Sequence, residues 1–151
     1  MPQSMVQNYV HLVFSTKDRI PFLSGLQVRE EMHKYLGGIC RNLRCPSIRI
    51  GGAEDHVHLA IRLSQTIALA TLVRDLKRES SKWIKTKAFH LREFHWQAGY
   101  GAFSIAAWDL KKLIAYIDSQ EEHHKRESFQ DELRRLCKQY GVELDERYAW
   151  D

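Results

Sequence analysis

The sequence predicts an α+β fold: a ferredoxin-like (RRM-like) βαββαβ sandwich with an antiparallel sheet and additional C-terminal helices. Two observations carry this. Short stretches with two-residue alternation, residues 8–15 and 56–63 above all, interleave with longer ones whose apolar residues recur every three or four positions. Their order along the chain is β-α-β-β-α-β, with helical periodicity returning after the fourth strand. At 151 residues and 44% hydrophobic content the chain can bury one core. No linker, repeat or low-complexity run interrupts it, so residues 1–151 are expected to form one domain.

Residues 8–15 form the first strand, with Val10, Leu12 and Phe14 on one face and Tyr9, His11 and Val13 on the other. A polar connection follows. Ser24 and Gln27 stand at capping-box spacing and predict a helix start, after which Val28, Met32, Leu36, Ile39 and Leu43 make a buried stripe. Residues 45–50 read as a second strand, which Gly51 and Gly52 turn back into the third. The clearest helix is 66–87, with Leu69, Leu72, Val73, Leu76, Trp83 and Ile84 on its core face. Residues 96–104 read as a fourth strand whose glycines mark a bulge or a close approach of another backbone or ligand. A helix over 108–126 carries Leu110, Leu113, Ile114 and Ile117. A last helix over 129–140 ends at Gly141, before a tail docked through Tyr148 and Trp150.

The third strand holds the candidate chemistry. Val57, Leu59, Ile61 and Leu63 share its apolar face; His56, His58, Ala60 and Arg62 share the other. Two neighbouring imidazoles, neutral near physiological pH, can chelate one divalent cation. A strand whose solvent face carries two histidines fits the same spacing, and two helices on the core side predict that this face is open. His11 reads as a satisfied sheet histidine. Tyr116 and Gln120, four apart, offer a phenol and an amide oxygen to the same place on a helix, with His124 continuing the row.

The net charge of +4 points mildly to a polyanionic partner. Arg74, Arg78 and Lys82 stack at i, i+4 spacing beside Lys77. Such a row is either a solvated face or a phosphate-contacting ridge. The three cysteines lack C-x-x-C spacing and no apolar run approaches membrane-spanning length, so reduced thiols in a cytosolic setting are expected.

The histidine strand, the segment Trp96-Gln97-x-Gly99-Tyr100-Gly101-x-Phe103-Ser104 and the Tyr116-x-x-x-Gln120 helix occur together in this order. In this the chain resembles the single-tyrosine HUH transposases of the small single-strand insertion-sequence type and their relatives associated with repetitive extragenic palindromes (REP). The resemblance runs from Tyr9 to His124. It implies a divalent metal, Mg²⁺ or Mn²⁺, held by His56, His58 and Gln120. Tyr116 would attack a phosphodiester of hairpin-containing single-stranded DNA, leaving a 5′-phosphotyrosine and a free 3′-hydroxyl. It also implies a homodimer in which the tyrosine helix can complete the partner's site, and a cytoplasmic, nucleoid-associated protein. Lys17, Arg19, Arg74, Lys77, Arg78 and Lys82 are the candidate DNA contacts. Glu54, Asp55, Glu121, His123 and His124 are further candidate ligands. The competing readings are a catalytically silent DNA- or RNA-binding module and a metal-dependent phosphodiesterase in which water attacks. The sequence does not identify the group that activates Tyr116.

Overall fold

The structure, a computed structural model, describes residues 2–151. β1 (Asn8–Ser15), β2 (Ser47–Gly52), β3 (His56–Leu63) and β4 (Gly101–Ile105) form one antiparallel sheet of order β2-β3-β1-β4. With α1 (Leu26–Asn42) after β1 and α2 (Leu69–Ile84) after β3, this is the expected βαββαβ arrangement. The side chains of β1 and β3 divide as their alternation requires. Val10, Leu12 and Phe14 join Val57, Leu59 and Ile61 against Met32 and Leu36 of α1 and Leu72 and Leu76 of α2. Full burial of each such side chain contributes about 1.5–3 kcal/mol.

The opposite face departs from expectation. It is not open: α3 (Leu110–Asp118), α4 (Gln120–His124) and α5 (Phe129–Tyr140) lie across it, and His58 there has no exposed surface. The reason lies in the residues that share this face with the histidines. Val13 and Phe103 need cover and find it in Phe129, Leu133 and Leu136, while Ala60 packs on Leu113 and Ile117. Two glycines set how close this cover comes. A Cβ on Gly51 would lie 2.7 Å from Ile117 Cγ2, and one on Gly101 would lie 2.9 Å from Leu133 Cδ1.

Several boundaries also shift. α1 is capped by the backbone of Gly25, without a Ser24–Gln27 box, and Gln27 donates to Glu31 instead. Gly51 and Gly52 belong to β2, and α2 is shorter at both ends than 66–87. Only Gly101–Ile105 of the fourth expected strand is sheet; Trp96 makes an isolated bridge to Thr16. The Lys77 ammonium donates to the carbonyls of Gln97, Ala98 and Gly99 and so fixes the intervening loop. The helix expected over 108–126 breaks at Ser119, where φ −98° and ψ 12° separate α3 from α4. α5 has its expected limits: Ser128 Oγ accepts from the Asp131 N–H at the start, and Gly141 ends it in the left-handed region at φ 69°. The tail docks beneath it through Trp150, and the main-chain oxygen of Asp151 accepts from Ala98 and Gly99.

Candidate active site

β3 presents His56 and His58 on the covered face because side chains two apart in a strand project together. The Ser119 break sends Gln120 inward at the start of α4, with Tyr116 one turn earlier on α3. Their common meeting point is a residue that sequence reasoning missed, Glu132 of α5, which is only 3% exposed. His58 Nε2 lies 3.1 Å and His56 Nε2 3.3 Å from Glu132 Oε1. Gln120 Oε1 lies 2.9 Å from His56 Nε2, and its Nε2 donates to Glu132 Oε2 at 2.9 Å. The Tyr116 hydroxyl donates to the same Oε2. The expected residues His56, His58, Tyr116 and Gln120 are therefore brought together within a single chain.

The rear nitrogens of both histidines are held as well. His56 Nδ1 donates to Asp55 Oδ1 at 2.7 Å. His58 Nδ1 lies 2.7 Å from His11 Nε2, so His11 is a buried partner of the site. Each ring thus keeps its Nε2 for the centre of the cluster. The donor atoms of His56, His58 and Glu132 all fall within 4.8 Å of one another.

Electrostatics divides the imidazoles. Burial opposes a charge on His56, but its hydrogen bonds to Asp55 and Glu132 outweigh burial and lift its pKa to about 9. His58 goes the other way, because complete burial outweighs the pull of Glu132. His11 is lowered to about 3 by burial and then by His58. The hydrogen bonds from the histidines outweigh burial at Glu132 and hold its carboxyl below the usual range. Burial, together with the Glu132 charge, raises the Tyr116 phenol, and Arg135 opposes that shift. The second residue missed is this Arg135, whose Nη2 donates to the Tyr116 oxygen at 2.9 Å and which also pairs with Glu127. A cleft of about 310 Å³ opens beside Tyr116, lined by His11, Lys112, Arg135, Gln139 and Tyr140 among others.

The further candidates take other places. Asp55 and His124 gather behind His56, with His124 Nε2 3.4 Å from Glu54 and 3.6 Å from Asp55. Glu121 pairs with Arg29, and the His123 ring packs 5.0 Å from that of Tyr116. Of the basic candidates, Lys17 and Lys82 are exposed. Arg74 and Arg78 share Asp75, and Arg78 also meets Glu79, all as surface pairs. Arg19 donates to the Trp150 carbonyl and Lys77 is engaged with its loop. Among the described residues no helix is long and apolar enough to cross a membrane.

The signal for Glu132 was available in the last helix. Phe129, Leu133, Leu136 and Cys137 define its buried stripe, and Glu132 falls in the same register. A carboxylate in that position needs a partner beneath the helix.

The family model described as "Transposase IS200 like" matches residues 4–120. Among solved structures, a Deinococcus radiodurans protein described as a transposase aligns with a TM-score of 0.65 at 18% identity, over 80% of this chain and 96% of that one. A REP-associated tyrosine transposase bound to a REP hairpin aligns with a TM-score of 0.59 at 16% identity, over 82% and 73%. At these identities the two structures establish the fold. No curated protein matches the chain.

Proposed function

The chain belongs to the IS200-like transposases, and on that footing we propose that it cuts and rejoins hairpin-containing single-stranded DNA through a phosphotyrosine at Tyr116. The observation that carries this reading is the convergence of the Tyr116 hydroxyl, both histidine Nε2 atoms and the Gln120 amide N–H on one buried carboxylate, with the Gln120 amide oxygen turned to His56 Nε2. The donor set fits a divalent ion. Two imidazole nitrogens and an amide oxygen converge, and both rings are tied from behind by Asp55 and His11 as metal-bound histidines are. His56, His58 and Gln120 would hold Mg²⁺ or Mn²⁺, which when bound neutralises charge developing on the phosphate.

The chain's own groups account for the rest. The Tyr116 oxygen attacks phosphorus, and the bond from phosphorus to the 3′ oxygen breaks, so that the 5′ side stays on the tyrosine. The phenolic hydrogen already points at Glu132, the group placed to receive it. The departing 3′ oxygen takes a proton from water. The raised phenol pKa keeps Tyr116 protonated at rest, so the proton leaves as the new bond forms. Arg135 then stabilises negative charge on the tyrosine oxygen. Storing the phosphodiester in the covalent link permits rejoining without a nucleotide cofactor.

The hairpin-bound relative supports a hairpin substrate. The basic row Arg74, Arg78 and Lys82, with Lys17, supplies phosphate contacts. Excision and rejoining need two cleavages, and each chain offers one such tyrosine, so we propose a homodimer acting on nucleoid DNA in the cytoplasm. The test mixes labelled single-stranded hairpin DNA from the gene's own flanks with wild type or Tyr116→Phe, with Mg²⁺, Mn²⁺ or chelator. A metal-dependent covalent adduct on a denaturing gel, absent with Tyr116→Phe, is expected. Cleavage that persists in Tyr116→Phe without an adduct would replace the reading with a hydrolase.

A further inference from the structure

We infer that Glu132 is a fourth protein ligand of the divalent cation and bridges that ion to the nucleophile. The inference rests on the metal-dependent reading above but concerns a residue outside the segment 4–120 that defines the family.

The two carboxylate oxygens have separate surroundings. Oε1 faces the histidines, 3.1 Å from His58 Nε2 and 3.3 Å from His56 Nε2. Oε2 faces the Tyr116 hydroxyl and the Gln120 amide N–H. In an octahedral site with metal–donor distances of about 2.1 Å, adjacent donors stand about 3.0 Å apart. The observed separations, including 2.9 Å between His56 Nε2 and Gln120 Oε1, are those of neighbouring ligands around one centre.

Charge and burial point the same way. Glu132 shares the buried stripe of α5 with Phe129, Leu133 and Leu136, where an ionised carboxylate persists only if cations or hydrogen-bond donors offset its desolvation. Two neutral imidazoles and an amide alone would leave a hard divalent ion with all of its charge. One carboxylate supplies the anionic oxygen such ions prefer. Asp55 cannot take this part, because it is bound to Nδ1 at the rear of His56.

The ion would take the place of two Nε2 protons: His56 releases its own, and His58 changes tautomer. Without the ion, His58 donates through Nε2 to Glu132 and accepts at Nδ1 from His11. With the proton on Nδ1, His58 donates to His11 and turns the Nε2 lone pair inward. The Glu132 carboxylate then holds the ion by Oε1 while Oε2 keeps the Tyr116 hydroxyl directed at the same centre, which makes ion binding and nucleophile placement one event.

The test measures metal binding by the full chain without DNA. Mn²⁺ titration followed by electron paramagnetic resonance gives the affinity, and the visible absorption of Co²⁺ reports the ligand set. Glu132→Gln is expected to weaken Mn²⁺ binding about tenfold or more and to change the Co²⁺ spectrum. Glu132→Asp, which keeps the charge and withdraws the oxygens, is expected to fall between and serves if the glutamine variant does not fold. Glu146→Gln removes an equal charge from the exposed tail and is expected to bind like wild type. If Glu132→Gln binds Mn²⁺ as tightly as wild type, or more tightly, with an unchanged Co²⁺ spectrum, Glu132 merely fills the ion's place and the assignment is overturned. If wild type itself binds neither ion, the assignment falls too, and the adduct assay decides separately whether Tyr116 acts without metal.

Discussion

His11 Nε2 and His58 Nδ1 lie 2.7 Å apart, a hydrogen bond between two buried imidazoles on adjacent strands with ring centres 5.0 Å apart. His11 therefore sets the tautomer and tilt of a candidate ligand without reaching the centre itself. Replacing it with phenylalanine keeps the packing and removes the partner. His11→Phe is expected to lower Mn²⁺ affinity about 10–100-fold and, by stranding the buried His58 Nδ1, to cost the metal-free protein about 1–3 kcal/mol of stability. His11→Asn, which can still donate or accept, should recover part of the loss in the same titration.

The approach of α3 to β2 depends on the absence of a side chain at residue 51. An added Cβ would meet Ile117 Cγ2 at 2.7 Å and the Ile117 carbonyl oxygen at 2.8 Å, and the second of these is backbone that no rotamer change relieves. Gly51→Ala is expected to destabilise the fold by about 1–3 kcal/mol in urea denaturation. It should also lower the adduct yield by displacing Tyr116, which sits one residue before the contact.

His33 on α1 supplies a pH dependence independent of the site. Burial, then the neighbouring Arg29, lowers its pKa to about 4, while Glu121 opposes them, and its Nε2 has no hydrogen-bond partner. The unfolded chain binds this proton near pH 6.5 and the folded chain only near 4. Stability from this residue is thus full above 6.5 and lost as the pH falls toward 4, by at most about 3 kcal/mol. Denaturation at pH 7 and pH 5 should show the loss in wild type and a smaller one in His33→Gln. Equal losses would remove His33 as the cause.

The basic residues should separate into two groups. Surface ion pairs such as Arg78–Asp75 hold their partners weakly and leave the cation free to exchange for a phosphate. Arg78→Ala and Lys82→Ala are each expected to reduce the salt slope of hairpin binding by about one without unfolding the protein. Lys77 differs, since burial lowers its pKa to about 8 and its ammonium is shared among three carbonyls. Lys77→Met should cost about 1–3 kcal/mol of stability by stranding those carbonyls, and the denaturation curve will register it before the binding isotherm does.

How far the sequence reveals this structure depends on the kind of signal. Alternation in 8–15 and 56–63 identifies the two central strands and places His56 and His58 side by side, because the strand period admits only one division of faces. Tyr116 and Gln120 were recognisable as a pair from spacing, yet their real geometry depends on the Ser119 break. Neither proline nor glycine marks that break, and tertiary packing imposes it on an otherwise continuous pattern. Glu132 was the harder case. Its distance from the histidines in sequence hid the contact, and only its place in an apolar stripe disclosed that it is buried.

The covering of the second sheet face by α3, α4 and α5 also decides how a nucleotide can meet this protein. In the RNA-recognition topology a bare sheet lets unpaired bases lie flat on aromatic side chains of the central strands. Here the corresponding positions are Val13, fully buried, His58, likewise, and Phe103, 3% exposed, all beneath helices. A base has no platform on which to land. The sheet that elsewhere reads nucleic acid is turned inward to hold the candidate catalytic groups, which leaves the helix surfaces and loop edges around it for a nucleic acid to meet.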